Sequence, residues 1–519
     1  MAAEEKFDSI VIGSGIGGLS CAASLALQNY KVLVLEKNPF LGGAMNTYTE
    51  PKTGNWTWSP FIQWVCGYSD TSIDNRLLKT LSEGKISFSP LDHECQVKYF
   101  PDLDYQFTFV NDKSKLLEKL KAEFPGEGKQ IDIYFKYLDI LEKKAGMFSL
   151  PKMYSAKVSR FMFRLSRAFK ILPHMDKSTT EVVDNVLKIK DEKLRAILLS
   201  FSHYFGIALD ETPFPFYAYA QNMQFNGMFY PDGGGRALTD ALVATIKRKG
   251  GKVRQASGVT EIMMKDKMAI GVKTENGTEL YADSVISSIG MKETMFNLIP
   301  DYARPVKLLK ALEKHKSVPS MLLLLIGFEG DLSSFGIKRS AYKTIIGDPS
   351  TMSRNPVEKD WVCDDLTISF PSLLNKKHKN PEYQTAEIHH ETSYGYFEIY
   401  EEKQDSDEFT QIKEQITQHY RDRLDEKFPG IVKHISFTKL ITPLDVKNLT
   451  HHDQGSMFGL DILKAESPDL SPRSGIKNLF FTGEDVFAHG LTPLNGVITA
   501  SVVTGKNLIK KYTGKPAQK

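Results

Sequence analysis

Three glycines and one acid near the start of the chain have the types and the spacing that a dinucleotide phosphate requires. The glycines are Gly13, Gly15 and Gly18, and the acid is Glu36. Gly13 allows a tight turn, Gly15 lets the backbone approach a pyrophosphate, and Gly18 lets a helix pack closely on a strand. Glu36 can accept hydrogen bonds from ribose hydroxyls. This pattern predicts that residues 7–36 bind a dinucleotide.

The segments around these glycines have the patterns of the elements that must position them. An apolar strand precedes Gly13, a helix-like stretch follows Gly18, and a second apolar strand over residues 31–35 leads to Glu36. The start of the helix presents free N–H groups and a partial positive charge, and both attract phosphate. Strand, glycine turn, helix, strand and acid follow in the register of a βαβ unit. We therefore predict a Rossmann-type domain that opens with this unit.

Two further glycine motifs extend the prediction from a dinucleotide to FAD. Gly42-Gly43 lies just after the acid, and paired glycines there let the backbone lie close to a second phosphate or to a flavin edge. Near the other end, an apolar strand leads into Gly483–Asp485 and then into a helix start. A helix dipole there can face the flavin edge that becomes negative on reduction, and Asp485 can bind ribityl hydroxyls. An adenine nucleotide alone would not need this distant segment, so the pair of motifs predicts FAD rather than NAD.

The composition limits the class of protein. A chain of 519 residues is too long for one core, so two or more domains are expected. Hydrophobic residues make up 41% and charged residues 25%, which is ordinary for a soluble globular protein. The net charge of +3 gives no indication of nucleic-acid binding.

The cysteines lack the spacing of metal ligands or of a redox pair, so we predict no metal site and a reducing compartment. The polar N-terminus and the short apolar runs predict a cytoplasmic protein without a targeting peptide or a membrane-spanning helix.

The order of patterns along the chain predicts two interleaved domains. Residues 1–90, 229–300 and 450–519 are assigned to a discontinuous FAD-binding domain. Residues 91–228 and 301–449 are assigned to a substrate-binding domain, with a helical region over 113–205. The predicted fold class is α/β: a discontinuous Rossmann-type domain plus a mixed α+β domain with an antiparallel sheet and a helical lid.

Several motifs together point to one known family. Besides the N-terminal fingerprint and Gly42-Gly43, they are Tyr230–Arg236, Val285–Gly290 and Thr482–Val486. This set resembles the phytoene desaturase superfamily of FAD flavoproteins. Within the superfamily the chain is most similar to the branch of carotenoid isomerases and retinol saturases, through Phe229–Gly234 and Ile368–Ser372. The resemblance implies an adenine-side contact at Val259 and a long apolar substrate with several double bonds, namely a carotenoid, a retinoid or an unsaturated lipid.

The predicted cofactor contacts combine the motifs with the resemblance. They are Gly13, Ser14, Gly15, Ile16, Gly17, Gly18, Glu36, Lys37, Gly43, Ala44, Met45, Val259, Gly483, Glu484, Asp485 and Leu491.

One position departs from the superfamily. Its desaturases and amine oxidases usually carry Arg directly after the paired glycines, whereas this chain has Ala44-Met45. Three tryptophans then follow within residues 56–64. They can form an aromatic wall for an apolar substrate or for the flavin ring, and they can equally be ordinary core packing. The predicted substrate contacts are Trp58, Phe61, Trp64 and Tyr230.

No nucleophile or zinc motif identifies a catalytic residue. His203, Tyr204 and His489 are candidates for a proton donor to an alkene, and each is also compatible with a structural role. His389 and His390 are neighbours in a strand-like run, so their rings are expected on opposite faces and not at one metal. A second dinucleotide fingerprint is absent, so no NADPH site is predicted, and the electron partner is a transient donor, a quinone or oxygen.

A basic stretch over residues 151–173 raises the question of a membrane. It contains six Lys or Arg and no acid. Basic side chains repeat on one helical face, and Phe161 and Leu165 belong to another. Such a helix can lie on an anionic bilayer, although a solvated face on a helix packed against its own domain is the commoner outcome for such a pattern.

The sequence therefore predicts an FAD-dependent oxidoreductase that acts on carbon–carbon double bonds of a long apolar polyene or unsaturated lipid. Saturation, desaturation and redox-neutral cis–trans isomerisation with reduced FAD stay open. Two other classes are an amine or amino-acid oxidase, against which the missing Arg speaks, and a non-enzymatic lipid or prenyl carrier. The carrier stays open because the guanine-nucleotide dissociation inhibitors resemble this fold without needing flavin chemistry.

Overall fold

The structure is a computed structural model that describes residues 6–144, 150–168, 172–201, 206–351, 362–375, 382–487 and 493–514. The helices are α1 Ile16–Ala26, α2 Ile73–Leu81, α3 Lys113–Glu123, α4 Gly128–Lys143, α5 Ala156–Ala168, α6 Glu192–Leu199, α7 Phe214–Phe225, α8 Gly234–Arg248, α9 Val306–Lys314, α10 Tyr394–Glu398, α11 Asp407–Lys427, α12 Pro443–Thr450, α13 Leu494–Thr504 and α14 Leu508–Thr513. Shorter helical turns lie at Thr179–Glu181, Met291–Glu293 and Pro371–Leu374.

The strands form two large sheets and two small ones. They are β1 Lys6–Ile12, β2 Val32–Leu35, β3 Tyr48–Thr49, β4 Thr57–Trp58, β5 Val65–Cys66, β6 Phe88–Pro90, β7 Glu94–Phe100, β8 Tyr105–Val110, β9 Met228–Pro231, β10 Lys252–Arg254, β11 Val259–Lys265, β12 Met268–Thr274, β13 Glu279–Ser287, β14 Ser320–Glu329, β15 Ala341–Thr344, β16 Thr367–Ser369, β17 Tyr383–Thr392, β18 Ile435–Ile441 and β19 Leu479–Phe481.

The first large sheet is built from three separated parts of the chain. Its order is β10-β2-β1-β13-β12-β11, and β19 pairs with β13. The pairs among β10, β2, β1, β13 and β19 are parallel, whereas β11, β12 and β13 pair antiparallel. All four residues of β2 are buried, as expected for a parallel strand covered on both faces. Helices α8 and α13 both contact α1.

The second large sheet has the order β18-β14-β17-β16-β15-β7-β8 and is antiparallel except between β15 and β7. Its strands alternate between two faces. One face packs under α11, where Leu322, Leu324 and Ile388 share a core with Tyr420. The other face carries Met321, Leu323 and Leu325, which pack against the tryptophans of residues 56–58.

The predicted fold class is confirmed, since a Rossmann-type sheet is joined to a second, mixed domain. The prediction that His389 and His390 point to opposite faces is also confirmed. His389 contacts Gln63, whereas His390 lies under α11 and hydrogen-bonds the Tyr420 hydroxyl at 2.6 Å. Among the described residues, no helix is both long and apolar enough to cross a bilayer.

Candidate functional site

The three fingerprint glycines are required for different reasons. A Cβ on Gly18 would lie 2.4 Å from the Gly13 carbonyl oxygen, and one on Gly13 would lie 2.9 Å from Ile289. A Cβ on Gly15 would touch only Ser288 Oγ, at 3.9 Å. Gly15 is the N-cap of α1, so its bare backbone lies where the free N–H groups of that helix begin. Two of these glycines serve the packing, and Gly15 leaves room at the anion-attracting end of the helix.

A hydrogen-bond network ties the acid to both glycine motifs. Glu36 is buried, and one of its oxygens accepts from the Ser14 N–H at 2.9 Å and from the Ser14 hydroxyl at 2.5 Å. Its other oxygen accepts from the Asn38 N–H, and the Gly42 N–H donates to Ser14 Oγ. A carboxylate offers about four acceptor sites, so these three donors leave one for a ribose hydroxyl.

The C-terminal motif lies directly against the N-terminal one. A Cβ on Gly17 would lie 2.6 Å from the Gly483 Cα, and the Thr482 hydroxyl donates to the Gly17 carbonyl at 3.4 Å. On α13, a Cβ on Gly496 would lie 2.5 Å from the Cys21 N. The two ends of the chain therefore meet at the start of α1, as the FAD prediction requires.

Asp485 is buried between two glycines. Its oxygens accept from the Met291 N–H at 2.8 Å and from the Leu460 N–H at 3.0 Å. Gly290 and Gly459 both have positive φ and leave the space that this carboxylate fills. The carboxylate keeps free lone pairs beside these two bonds, so its contact with ribityl hydroxyls stays a prediction.

Four other predicted cofactor residues are Met45, Ala44, Lys37 and Val259. Met45 is buried, and its carbonyl lies 2.3 Å from where a Cβ of Gly235 would be. Ala44 and Lys37 are exposed. Val259 begins β11, two residues after Ser257, whose N–H donates to the Glu36 carbonyl. That contact places Val259 near the ribose end of the predicted cofactor path.

The aromatic residues after Gly43 divide into two groups. Trp58 is buried in the core with β14, and its indole N–H donates to the Ala386 carbonyl at 3.3 Å. Phe61 and Trp64 are only partly buried. Tyr230 is buried on β9, near Ser59, whose hydroxyl accepts from the Gly235 N–H at 3.0 Å. The structure thus brings Tyr230 to the loop that follows the paired glycines.

Several sequence candidates lie outside the described residues. They are His203, Tyr204, His489 and Leu491. Ser200, three residues before His203, accepts two hydrogen bonds from the buried Lys98 ammonium, at 3.0 Å and 2.8 Å.

The structure also reveals an ionisable face that the sequence reasoning missed. Lys98, Lys343, Thr367 and His389 are register neighbours on β7, β15, β16 and β17. Burial lowers the pKa of Lys343 to about 8, and it raises the pKa of Asp365 to about 7. Perturbed groups of this kind cluster at functional sites. The signal in the sequence was the spacing of Glu387, His389 and Glu391 at every second residue of a strand.

Comparisons with known proteins agree with this geometry. Residues 16–321 match the sequence profile of a family described as flavin containing amine oxidoreductase. The all-trans-retinol 13,14-reductase of Danio rerio is 26% identical over 97% of this chain and 87% of its own length. Prolycopene isomerase 1 of an Oncidium hybrid cultivar is 24% identical over 87% of this chain and 75% of its own length. The crystal structure of an oxidoreductase from Methanosarcina mazei has a TM-score of 0.61 at 17% identity and covers 97% of this chain and 100% of its own.

Proposed function

Because the chain belongs to the flavin containing amine oxidoreductase family, we propose that it is an FAD-dependent enzyme that saturates a carbon–carbon double bond of a long apolar polyene. FAD is its cofactor, and the bare backbone of Gly15 beside the start of α1 fits the pyrophosphate. The observation that carries the reaction type is the similarity, over nearly the whole chain, to a retinol reductase. Ala44-Met45, in place of the Arg usual in amine oxidases of this kind, speaks against amine oxidation.

The residues of the chain have separate tasks in this reaction. Bound FAD, once reduced, supplies a hydride to one alkene carbon. Gly15 and the start of α1 would hold the pyrophosphate, Glu36 would hold the ribose, and Asp485 would hold the ribityl chain. The buried tryptophans that pack on β14, Trp56 and Trp58, exclude water from the substrate. This arrangement needs one further group, which gives a proton to the second carbon.

The decisive experiment is anaerobic incubation of the FAD-reduced enzyme with a panel of polyenes, followed by chromatography with mass detection. Saturation adds two hydrogen atoms to the substrate, and desaturation removes two. A product of unchanged mass and altered retention would identify a cis–trans isomerase, which is the second candidate because of the similarity to prolycopene isomerase. Unchanged polyenes throughout the panel would contradict both proposals.

We also propose that α5 rests on an anionic membrane from which the apolar substrate enters. Phe161 is 64% exposed, and Val158 and Leu165 are exposed beside it. Arg164 is exposed on the same helix. The segment before α5 is anchored by Lys152, whose ammonium donates to the Lys464 carbonyl at 2.8 Å and to the Ser467 carbonyl at 2.7 Å. An exposed apolar strip with basic neighbours on an anchored helix suits an anionic bilayer surface.

Sedimentation with liposomes that contain anionic lipid tests the membrane proposal. The double change Phe161→Ser and Leu165→Ser, and separately Arg164→Glu, should lower binding. Ile399→Ser is the matched control, since Ile399 is 66% exposed on a different helix end. Equal sedimentation of all these variants, or none by the wild type, would contradict a membrane contact through α5.

A further inference from the structure

One face of β17 carries three ionisable side chains in a row. Glu387, His389 and Glu391 alternate with the residues that pack under α11. Across β14 they face Leu325, Leu323 and Met321, which form the apolar core around Trp58. This face therefore looks toward the loop of residues 56–64 that follows the paired glycines. Gln63 Nε2 from that loop lies 2.9 Å from His389 Nε2.

Glu387 has no structural partner among the described residues. It is fully buried, and neither of its carboxyl oxygens has a hydrogen-bond partner in the described part of the chain. Its register neighbour Ser369 and, two strands further, Gln96 also carry a buried side-chain oxygen without a partner there. A buried polar group without a partner lowers the stability of the folded protein by about 1–3 kcal/mol. A row of such groups is therefore unusual unless the groups interact with a bound ligand.

Burial favours the protonated form of the Glu387 carboxyl. It raises the pKa of this group well above its usual range, and no charged partner opposes the effect. The titratable groups on the same face of the sheet are Lys98 from β7, Lys343 from β15, Asp365 before β16, and His389 and Glu391 from β17, and Tyr230 reaches it from β9. None of them makes an ion pair with Glu387 among the described residues.

Tyr230 connects this carboxyl to the cofactor side. The pKa of its hydroxyl is raised by burial and by the nearby Glu387. The same hydroxyl lies 3.8 Å from the place of a Cβ on Gly234, beside the Ser59 that receives the Gly235 N–H. Tyr230 thus links Glu387 to Ser59, in the loop that follows the second glycine motif.

We propose that Glu387 is the proton donor that completes the saturation of the substrate alkene. This inference rests on the proposed function. The π bond breaks, one carbon takes the hydride that the reduced flavin supplies, and the other takes the Glu387 proton. Glu387 is left as a carboxylate, and the flavin is left oxidised. Glu387 then regains a proton from solvent through the partly exposed end of the face, where Glu391 lies.

The test compares Glu387→Gln with Thr392→Val in the FAD-loaded enzyme. Thr392 is a buried residue on the opposite face of the same strand, and its hydroxyl also has no partner among the described residues. We expect Glu387→Gln to slow single-turnover saturation by at least about 100-fold, with FAD content unchanged, because proton donors contribute about that much or more. Thr392→Val should keep the wild-type rate. If Glu387→Gln does not fold, Glu387→Leu replaces it, since an apolar side chain removes the cost of the unpaired carboxyl.

Infrared spectroscopy supplies a readout that needs no turnover. The difference spectrum between the wild type and Glu387→Gln near neutral pH should show the C=O band of one buried protonated carboxyl, which the variant has lost, whereas the bands of Glu391 and Asp365 are common to both proteins and cancel. Loss of the band together with the slow saturation supports the proposal. Saturation by Glu387→Gln at the wild-type rate, or an unchanged band, overturns the role of Glu387 as proton donor but leaves the proposed function intact. A wild type that forms only isomers overturns the proposed function, and the proton donor falls with it.

Discussion

At the scale of single residues, glycines of the same motif do different work. A Cβ on Gly17 would collide with the Gly483 backbone at 2.6 Å, whereas one on Gly15 would meet only a hydroxyl at 3.9 Å. Gly15 has φ −62° and ψ 172°, an extended conformation that alanine also adopts. The fold therefore needs a glycine at position 17, whereas position 15 would need one only for the proposed contact with the cofactor.

The first prediction compares these two positions. Gly15→Ala should fold with an unchanged melting temperature of the apoprotein but bind FAD at least about tenfold more weakly, which is about 1.4 kcal/mol, because the methyl group intrudes on the pyrophosphate. Gly17→Ala should lower the melting temperature of the apoprotein itself. Calorimetry of the apoproteins and FAD titration check both. Equal FAD affinity of Gly15→Ala and the wild type would contradict this division of roles.

At the scale of elements, β17 separates two environments. Its outer face packs His390 against Tyr420 of α11, and its inner face carries Glu387 and His389. Burial lowers the pKa of His390 to about 3, so its ring is neutral in the folded protein.

The second prediction concerns acid stability through His390. In the unfolded chain the His390 imidazole takes up a proton near pH 6.5, whereas in the folded chain it does so only near pH 3. Between these two values only the unfolded chain binds the proton. The free energy of unfolding therefore has its full value above pH 6.5 and falls by about 1.4 kcal/mol for each pH unit below it, until the pH reaches about 3. His390→Gln should flatten the pH dependence of the free energy of unfolding by that amount. Urea titrations across the window measure it.

The control for this prediction is the exposed His93. His93→Gln should leave the pH dependence as it is in the wild type. Identical slopes for the wild type and His390→Gln would show that the buried imidazole does not govern the acid limb.

The contact between α1 and α13 is a second feature of this scale. A Cβ on Gly496 would lie within 2.7 Å of Cys21 N, the Gly17 carbonyl and Ser20 Cβ. The third prediction is that Gly496→Ala lowers the free energy of unfolding by about 1–3 kcal/mol, because overpacking forces the helices apart. Denaturant unfolding measures the change. Gly126→Ala is the control, since nothing lies within 4 Å of a Cβ there.

At the scale of the whole molecule, the last segment completes a sheet that the first segment begins. β19 pairs in parallel with β13, which pairs in parallel with β1. The Phe481 N–H donates to the Pro472 carbonyl, the Phe481 carbonyl accepts from the Thr499 hydroxyl of α13, and α13 contacts α1. The first large sheet is thus complete only when nearly the whole chain has been synthesised.

The fourth prediction is that deletion of residues 479–519 abolishes FAD binding, since it removes β19, Asp485 and α13 together. Exposed faces of β13 and α1 should make the truncated chain aggregate. Supply of residues 479–519 as a separate chain during expression should restore part of the soluble, FAD-containing protein. Soluble truncated protein with bound FAD would contradict the role of the C-terminal segment.

The sequence by itself determined the cofactor and the fold class. The fingerprint glycines, Glu36 and the Gly483–Asp485 motif are local patterns, and each depends on backbone requirements that a short segment must meet alone. Strand and helix periodicity likewise arises within a segment, so the Rossmann-type unit and the second domain could be predicted from the sequence. The same local logic placed His389 and His390 on opposite faces.

Only the tertiary structure decided which residues share the site. Glu387 became a candidate because its carboxyl is buried without a hydrogen-bond partner among the described residues, and the predicted substrate contact Tyr230 lies near it because β9 brings it there. Neither fact is written in neighbouring residues, since burial and the pKa shifts that follow from it depend on strands that come from distant parts of the chain. The contact of Gly17 with Gly483 has the same origin. Each of the two motifs was predictable by itself, but their contact depends on the pairing of β19 with the rest of the sheet.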